Sequence, residues 1–524
     1  MAYDLVIRNG TIFDGSGSAP TRANVAIAEG VIREIGKPDA GGADVLDAEG
    51  LFVAPGFIDI HSHSDFTLLV DPRAMSSVYQ GVTLEVVGNC GFGCFPITDP
   101  ILAANNIYGL TDVVPLSWSS AAGYLERLET VGTAVNVMTL VPNGQLRLST
   151  VGMDNRPATA DELGQMKFLL EESMEAGAFG LSSGLEYPAE AGAGEEELTE
   201  MCRVVARAGG IYATHARKRD AGAADAVEEA VRTAENAEVR LQISHLLPRA
   251  DRDECERCVE VVDKALARGN ELAFDMHTRL YGTTYLSTVI PPWAMEGGKE
   301  ALASRLGDGN ARRRMKEFRS ILSAGGDWKR IVLLDNVHWP EYARRDIASI
   351  AREREQEALD TVFDLLVRAV DDLHSLMVII HCYVPDQQRE IFSHPSCMPA
   401  SDATALAPDG PLATSSFHGA YTWASWFYRF MVRETGALKP EEAIHRLSGL
   451  PARTLNLSDR GSLAVGAPAD IAVFDPETFG ERGDTYEPNQ LATGMVHVIV
   501  NGVPTLKDGA LTENLAGQVL RFRK

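Results

Sequence analysis

The sequence predicts an α/β fold, a (β/α)8 TIM barrel with a small β-sandwich domain formed from both termini. Three observations lead to this prediction. Apolar strand patterns alternate with amphipathic helix patterns through the middle of the chain, both ends are rich in strand and turn patterns, and 524 residues exceed what one hydrophobic core usually serves. We expect the small domain at residues 1–55 plus 457–524 and the barrel at residues 56–456.

The barrel prediction rests on eight short apolar segments, each typical of a buried parallel strand. They are residues 57–60, 83–87, 135–140, 178–181, 210–214, 239–244, 272–275 and 398–401. Amphipathic helix patterns follow several of these segments, at residues 160–176, 195–208 and 223–234. Eight strand–helix units over this length indicate a closed (β/α)8 barrel.

The two ends of the chain and one long internal stretch complete the predicted organisation. Asn9-Gly10 and Asn501-Gly502 each predict a two-residue hairpin turn between strands of the small domain. The stretch at about residues 280–380 is too long for an ordinary connection and contains charged helical patterns. Because long loops at a barrel mouth commonly carry specificity, we interpret it as an inserted lid or subdomain.

Composition excludes several classes of partner. A net charge of −25 argues against nucleic acid and anionic membranes, since both attract basic surfaces. No basic segment followed by an apolar core opens the chain, and no apolar run is long enough to span a bilayer. Seven cysteines with irregular spacing favour a reducing cytoplasm over a disulfide framework. We expect a cytoplasmic enzyme with a small-molecule substrate, and the oligomeric state stays open.

Metal-ligating side chains follow five of the predicted strands. His61 and His63 end the first strand and point to one face, since residues i and i+2 of a strand share a face. The other candidates follow the second, fifth, sixth and eighth strands: Cys90, His215, His245 and Asp402. The carboxyl ends of barrel strands face one mouth, so we expect the six side chains to converge on a divalent ion. Thiolate and imidazole ligands favour zinc.

These residues resemble the amidohydrolase superfamily, and within it the N-acyl-D-amino-acid deacylases (D-aminoacylases). The motifs that carry the resemblance are the segment 54–65 around both histidines, Gly88-Asn-Cys-Gly91, Gly180-Leu-Ser-Ser-Gly-Leu185 with Tyr187-Pro188, Thr214-His215, Ser244-His245 and Ser401-Asp402. The resemblance implies a metal-dependent hydrolase of C–N bonds other than peptide bonds. It further implies that one zinc is held tightly by Cys90, His215 and His245. The remaining residues, His61, His63 and Asp402, would line a second position that is partly occupied.

Asp402 is the candidate catalytic residue. It can take a proton from the attacking water and return the proton to the leaving nitrogen, provided that it lies within hydrogen-bond reach. The alternative is a purely structural role as a metal ligand.

The resemblance weakens where related deacylases hold the carboxylate of the substrate. A tyrosine, a lysine and an arginine expected there are His277, Leu247 and Ala420 in this chain. Either another cation holds the carboxylate or the substrate lacks one. The candidate substrate-binding residues are Ser183, Tyr187, Arg217, Arg249, His277, Arg279 and His418.

The expected reaction is hydrolysis of a linear C–N amide in a small N-acylated compound. An N-acyl-D-amino acid is the default that the resemblance implies, and an uncharged or aromatic amide is the variant that the altered residues suggest. Two alternatives stay open: ring opening of a cyclic amide or imide, and a catalytically silent scaffold that keeps the fold.

Overall fold

The computed structural model describes residues 2–38, 43–104, 106–295, 297–320, 322–323 and 326–522. They form two compact units, Met1–Thr278 together with Arg389–Lys524, and Arg279–Gln388. The first unit contains a parallel barrel and a β domain built from both ends of the chain, which confirms the predicted fold class. Among the described residues, the apolar helices are all too short to cross a membrane.

The secondary structure is numbered along the chain. The strands are β1 (Leu5–Ile12), β2 (Thr21–Ala28), β3 (Val31–Gly36), β4 (Asp44–Asp47), β5 (Phe52–Pro55), β6 (Phe57–Asp59), β7 (Val82–Val87), β8 (Asn136–Thr139), β9 (Val141–Pro142), β10 (Gly180–Gly184), β11 (Ile211–His215), β12 (Arg240–Ile243), β13 (Leu272–His277), β14 (Tyr281–Tyr285), β15 (Ile331–Leu333), β16 (Met377–His381), β17 (Cys397–Ala400), β18 (Ile471–Phe474), β19 (Met495–Val500), β20 (Val503–Lys507) and β21 (Ala510–Leu511). The α-helices are α1 (Thr67–Val70), α2 (Met75–Val78), α3 (Pro100–Ala104), α4 (Ala121–Val131), α5 (Asn143–Thr150), α6 (Ala160–Ala176), α7 (Glu195–Ala208), α8 (Ala223–Ala237), α9 (Arg252–Ala267), α10 (Pro292–Met295), α11 (Gly298–Gly307), α12 (Gly309–Met315), α13 (Ile347–Glu353), α14 (Ala358–Arg368), α15 (Pro385–Ser393), α16 (Trp423–Tyr428), α17 (Pro440–Leu447) and α18 (Gly449–Thr454).

The β domain is one mixed sheet with the order β21-β20-β19-β18-β5-β1-β2-β3, and β4 pairs with β1. The two ends of the chain meet where β5 pairs antiparallel with β18. Alternate residues of these strands, such as Leu5, Ile7, Ile471 and Val473, are buried together in the core of the domain. The final segment leaves this sheet, because Leu520 N–H donates to Val137 O of the barrel.

The two Asn-Gly pairs have different structures. Asn501-Gly502 forms the predicted turn between β19 and β20, with positive φ at both residues. The hairpin predicted at Asn9-Gly10 is wrong, because β1 runs straight through it and pairs with β2 on both sides of a register shift. Asn9 has a φ of 63°, so its left-handed backbone makes a β-bulge instead of a turn.

The barrel consists of eight parallel strand positions. β6, β7 and β8 form one run, and β9, β10, β11, β12, β13 and β17 form the other. β8 and β9 are two halves of one strand, separated by Leu140. A parallel bridge between Ser62 and Ala403 joins β6 to β17 and closes the ring. The carboxyl ends of all these strands therefore lie at one rim.

Two barrel helices begin and end at the residues that the sequence predicts. α6 starts with a capping box, in which Thr159 and Glu162 bind each other's backbone N–H groups. α6 and α7 stop at Gly177 and Gly209, which have φ values of 116° and 81° and supply left-handed caps.

The second unit, Arg279–Gln388, contains its own three-stranded antiparallel sheet in the order β14-β16-β15. Leu286, Leu333, Phe363 and Leu366 belong to its separate hydrophobic core. It covers the stretch interpreted above as an insertion, and its role as a lid stays a prediction.

Candidate metal centre

Six potential metal ligands lie at the carboxyl rim of the barrel. β11 ends in His215, and the segments directly after β6, β7, β12 and β17 carry the other five, which are His61, His63, Cys90, His245 and Asp402. The four histidines and Cys90 are buried, and the side chain of Asp402 is 18% exposed. The rim therefore presents a largely desolvated cluster with one accessible carboxylate.

The ligand atoms form two triplets, one of His61, Cys90 and His245 and the other of His61, His63 and Asp402, each with its atoms within 4.8 Å of one another. Cys90 Sγ lies 3.2 Å from His61 Nε2 and 3.6 Å from His245 Nε2. Asp402 Oδ1 lies 3.5 Å from His61 Nε2 and 3.4 Å from His63 Nε2. A thiol, imidazoles and a carboxylate at this spacing fit the ligand chemistry of zinc. The second triplet has the members that the resemblance implies, whereas the first contains His61 in the place of His215.

His215 is adjacent to the triplets but is held by the loop after β10. Its ring centroid lies 4.6 Å from that of His245. Its Nε2 lies 2.9 Å from Glu186 Oε2, and its Nδ1 lies 3.4 Å from the Tyr187 hydroxyl. Burial lowers the pKa of His215 to about 4, although Glu186 opposes that shift, so the imidazole is neutral at pH 7.

Three of the candidate ligand residues have left-handed backbones. The φ angles are 52° at Cys90, 36° at His245 and 44° at Asp402, a conformation that is uncommon for residues other than glycine. Gly88 precedes this turn at β7 with a φ of 80°, and a Cβ there would lie 2.3 Å from the Leu140 carbonyl oxygen. The sequence Gly-Asn-Cys-Gly thus ends the strand abruptly and redirects the Cys90 thiol toward His61 and His245.

Asp275 orients two of the histidines and was not predicted as a site residue. It is fully buried in β13, and its Oδ1 accepts from His61 Nδ1 at 3.1 Å and from the His245 backbone N–H at 2.8 Å. Gln242 Nε2 donates to the other carboxylate oxygen at 2.7 Å. A carboxylate inside the apolar run of β13 is the sequence signal that could have identified it, because buried carboxylates are paired.

The thiol and the histidines have shifted pKa values. Burial acts to lower the pKa of His61, but the charges of Cys90 and Asp275 outweigh burial and raise it well above its usual value. Burial raises the pKa of Cys90. Burial lowers the pKa of His245 well below its usual value. Without a metal, His215 and His245 are therefore neutral, whereas Asp275 supports a proton on His61 even when Cys90 is neutral.

An aromatic wall, defined as Phe92, Tyr108, Tyr187 and Phe417, flanks the centre. Phe92 lies 4.6 Å from Tyr108 and 4.7 Å from Tyr187 between ring centroids, and Tyr108 lies 5.8 Å from Phe417. Tyr108 also lies 4.7 Å from His63, and Tyr187 lies 4.7 Å from His215. Of these rings, the sequence predicted only Tyr187, because it belongs to a motif that carries the family resemblance; all four rings lie outside helices and strands.

Both candidate arginines of the first unit already have carboxylate partners. Arg249 lies 2.6 Å from Glu186 Oε1. Arg217 lies 2.7 Å from Glu229 and also donates to the carbonyl oxygens of residues 191 and 193. Arg279 belongs to the second unit, where its carbonyl oxygen accepts from Gln388 Nε2.

The other candidate substrate-binding residues have mixed surroundings. Ser183 is fully buried in β10 and hydrogen-bonds the hydroxyls of Tyr212 and Thr214, so it belongs to the barrel interior. His418 donates from Nε2 to the Thr485 carbonyl oxygen at 2.8 Å. His277 is buried at the carboxyl end of β13, two residues after Asp275. Tyr187 contacts His215 directly.

Comparison with known proteins gives consistent results. The profile of the Amidohydrolase family matches residues 44–506. D-aminoacylase of Alcaligenes xylosoxydans xylosoxydans is 30% identical over 99% of this chain and 97% of its own length. The crystal structure of N-acyl-D-glutamate deacylase from Bordetella bronchiseptica, complexed with zinc and a phosphonate mimic of the tetrahedral intermediate, has a TM-score of 0.80 and 27% identity and covers 100% of both chains. A structure of D-aminoacylase, whose binuclear metal centre shows one-metal activation and second-metal attenuation, has a TM-score of 0.79 and 26% identity over 99% of this chain and 100% of that one.

The ligand cluster at the barrel rim and these full-length similarities agree. The chain therefore belongs to the amidohydrolase family, is similar to N-acyl-D-amino-acid deacylases, and is a metal-dependent hydrolase of C–N bonds other than peptide bonds.

Proposed function

We propose that the chain is a zinc-dependent amidohydrolase that cleaves the linear C–N amide bond of a small N-acylated compound. We further propose that the group beside the scissile nitrogen is uncharged or aromatic. The observation that carries the reaction class is the convergence of one thiol, the imidazoles and Asp402 at one barrel rim. The substrate class rests on what surrounds that cluster.

The roles of the residues follow from their chemistry. Cys90, the four histidines and Asp402 would hold one zinc tightly and a second with partial occupancy. Zinc held there supplies Lewis acidity, which polarises the amide carbonyl and acidifies water. Asp402 is the accessible carboxylate beside His61 and His63. We assign it the proton transfer from the attacking water to the leaving nitrogen, since general acid–base catalysis requires a group within reach of both.

Two observations support a substrate without a carboxylate at the usual position. Arg217 and Arg249 are each paired with a glutamate, so their charges are already compensated. The aromatic wall offers rings on which an acyl or aryl group can pack, a contact worth about 0.5–1.5 kcal/mol per aromatic pair beyond buried area. Together they favour an apolar recognition surface over an anion-binding one.

A hydrolysis screen tests this proposal. Purified zinc-loaded protein is assayed on N-acyl-D-amino acids, N-acyl-L-amino acids, and uncharged aryl and alkyl amides. We expect turnover of the uncharged amides at the highest kcat/KM. If N-acyl-D-amino acids are preferred, the assignment of substrate class is wrong. Product masses separate the alternatives, because a linear amide gives two products and a cyclic amide gives one product heavier by one water.

The variant Asp402→Asn tests the assigned base. We expect it to retain zinc and to lose about 10²–10⁴-fold in kcat, the usual contribution of general acid–base catalysis. Zinc content measured by atomic emission separates a lost ligand from a lost base. Wild-type turnover in this variant would show that Asp402 is not the catalytic base.

We also propose a cytoplasmic location. All seven cysteines lie within the described residues and are free thiols, and this supports a reducing compartment.

A further inference from the structure

Glu186 connects the candidate metal centre to a cation outside it. One carboxylate oxygen lies 2.9 Å from His215 Nε2, and the other lies 2.6 Å from Arg249. The side chains of His215, Arg249 and Glu186 are 3%, 17% and 30% exposed. The three groups therefore form a partly desolvated chain in which Glu186 is the central member.

The contact with Glu186 determines which nitrogen of His215 can bind a metal. A carboxylate only accepts hydrogen bonds, so the proton of the neutral imidazole must lie on Nε2. The lone pair then lies on Nδ1, the nitrogen beside the Tyr187 hydroxyl. In metal sites, a ligating histidine usually donates its other N–H to a carboxylate, which fixes the tautomer and strengthens the ligand.

We propose that Glu186 is the positioning residue that makes His215 a zinc ligand through Nδ1, and that Arg249 holds Glu186 in place for this task. The inference rests on the zinc centre proposed above. His215 stands outside the two triplets although its ring adjoins that of His245, so the assignment of Nδ1 rests on the contact of Nε2 with Glu186.

Arg249 compensates the charge of the positioning carboxylate. Its guanidinium lies 2.6 Å from Glu186 Oε1, and the side chains of Arg249 and Glu186 are 17% and 30% exposed, so the two charges form a partly desolvated pair. An ionised carboxylate is the stronger acceptor, since hydrogen bonds to charged groups are about twice as strong as neutral ones. Arg249 is thereby a structural cation of the metal centre, and it is not an anchor for a substrate anion.

The zinc affinity of Glu186 variants tests the proposal. Affinity is measured with a competing chromophoric chelator on Glu186→Ala, which removes the carboxylate, and on Glu186→Gln, which keeps its shape without its charge. We expect the alanine variant to bind zinc about 10–100-fold more weakly, with the glutamine variant between it and wild type. The matched control is Glu229→Gln, which breaks another mostly buried carboxylate–arginine pair, between Glu229 and Arg217.

Cobalt substitution adds a readout that a merely structural role would not change. In Glu186→Ala we expect altered d–d bands, because His215 is lost or reoriented, and a retained thiolate-to-cobalt charge-transfer band from Cys90. Wild-type zinc affinity in Glu186→Ala would overturn the inference, as would an equal loss in Glu229→Gln. Both experiments need no substrate, so a failed hydrolysis screen leaves them intact. A wild-type protein that binds no zinc would instead refute the proposed function.

Discussion

The protons that Cys90 and His61 hold in the metal-free protein give a quantitative prediction. The pKa values of both groups are raised, and Asp275 supports the charged form of His61 even when Cys90 is neutral, so we expect each group to carry at pH 7 a proton that zinc must displace. The pKa of His245 is lowered, and that of His215 is about 4, so these two bind zinc without releasing protons. We therefore expect about two protons released at pH 7 when one zinc binds the triplet of His61, Cys90 and His245, since metal ligands must be deprotonated.

The same count sets the pH dependence of affinity. Two displaced protons make the zinc association constant rise about 100-fold per pH unit near pH 7. If the pKa of His61 were at its ordinary value of about 6.5, it would be mostly neutral at pH 7, and the release would fall to about 1.2 protons. The number of protons released thus differs by nearly one between a raised and an ordinary pKa of His61.

Isothermal titration calorimetry in buffers of different ionisation enthalpy measures this number directly, as the slope of observed enthalpy against buffer enthalpy. The variant His61→Asn should lower the count to about one, because its amide carries no displaceable proton. The control His445→Asn, whose histidine donates to the Gly15 carbonyl oxygen, should leave the count unchanged. A wild-type slope of one proton or fewer would refute the expectation that zinc displaces a proton from His61.

Two further predictions concern buried charges near the barrel rim. Arg147 and Glu197 form a buried ion pair at 2.5 Å, so Arg147→Met should lower the free energy of unfolding, measured with urea, by about 3–5 kcal/mol. The double variant Arg147→Met/Glu197→Met should recover most of that loss, because no unpaired charge stays buried. A loss below about 1 kcal/mol in the single variant would contradict this prediction. Burial raises the pKa of Glu190 to about 7, so the folded state binds more protons than the unfolded state between about pH 4.5 and 7, and stability falls as pH rises through that window. Relative to wild type, Glu190→Gln should gain up to about 3 kcal/mol between pH 5 and pH 8, and parallel pH profiles would exclude the shift.

The strands and helices of the barrel were predictable from local sequence. Buried parallel strands are nearly continuous apolar runs, and each of the eight predicted segments overlaps a strand of the barrel. Helix ends carried explicit signals, such as the capping box at Thr159 and the glycine after α6. Asn9-Gly10 shows the limit, because a left-handed Asn serves a bulge as well as a hairpin, and only the partner strand decides between them.

The candidate ligands could be predicted from the topology of the barrel, whereas the residues around them could not be predicted. A barrel sends every strand's carboxyl end to one rim, so residues that follow five strands had to approach one another. Glu186 and most of the aromatic wall lie in loops, whose conformations leave no periodic trace in the sequence. The contact of His215 Nε2 with Glu186 depends on such a loop, and no pattern in the chain predicts it.

The left-handed backbones at Cys90, His245 and Asp402 have a consequence for how this protein can change. A left-handed backbone at a residue other than glycine lowers the stability of the fold by on the order of 1–3 kcal/mol, whereas glycine adopts this conformation freely. Glycine substitutions at these three positions should therefore stabilise the folded state while removing the side chains that we propose as metal ligands. Variants selected only for thermal stability should therefore lose these three residues early. Selection for catalytic turnover should retain them and keep the lower thermal stability.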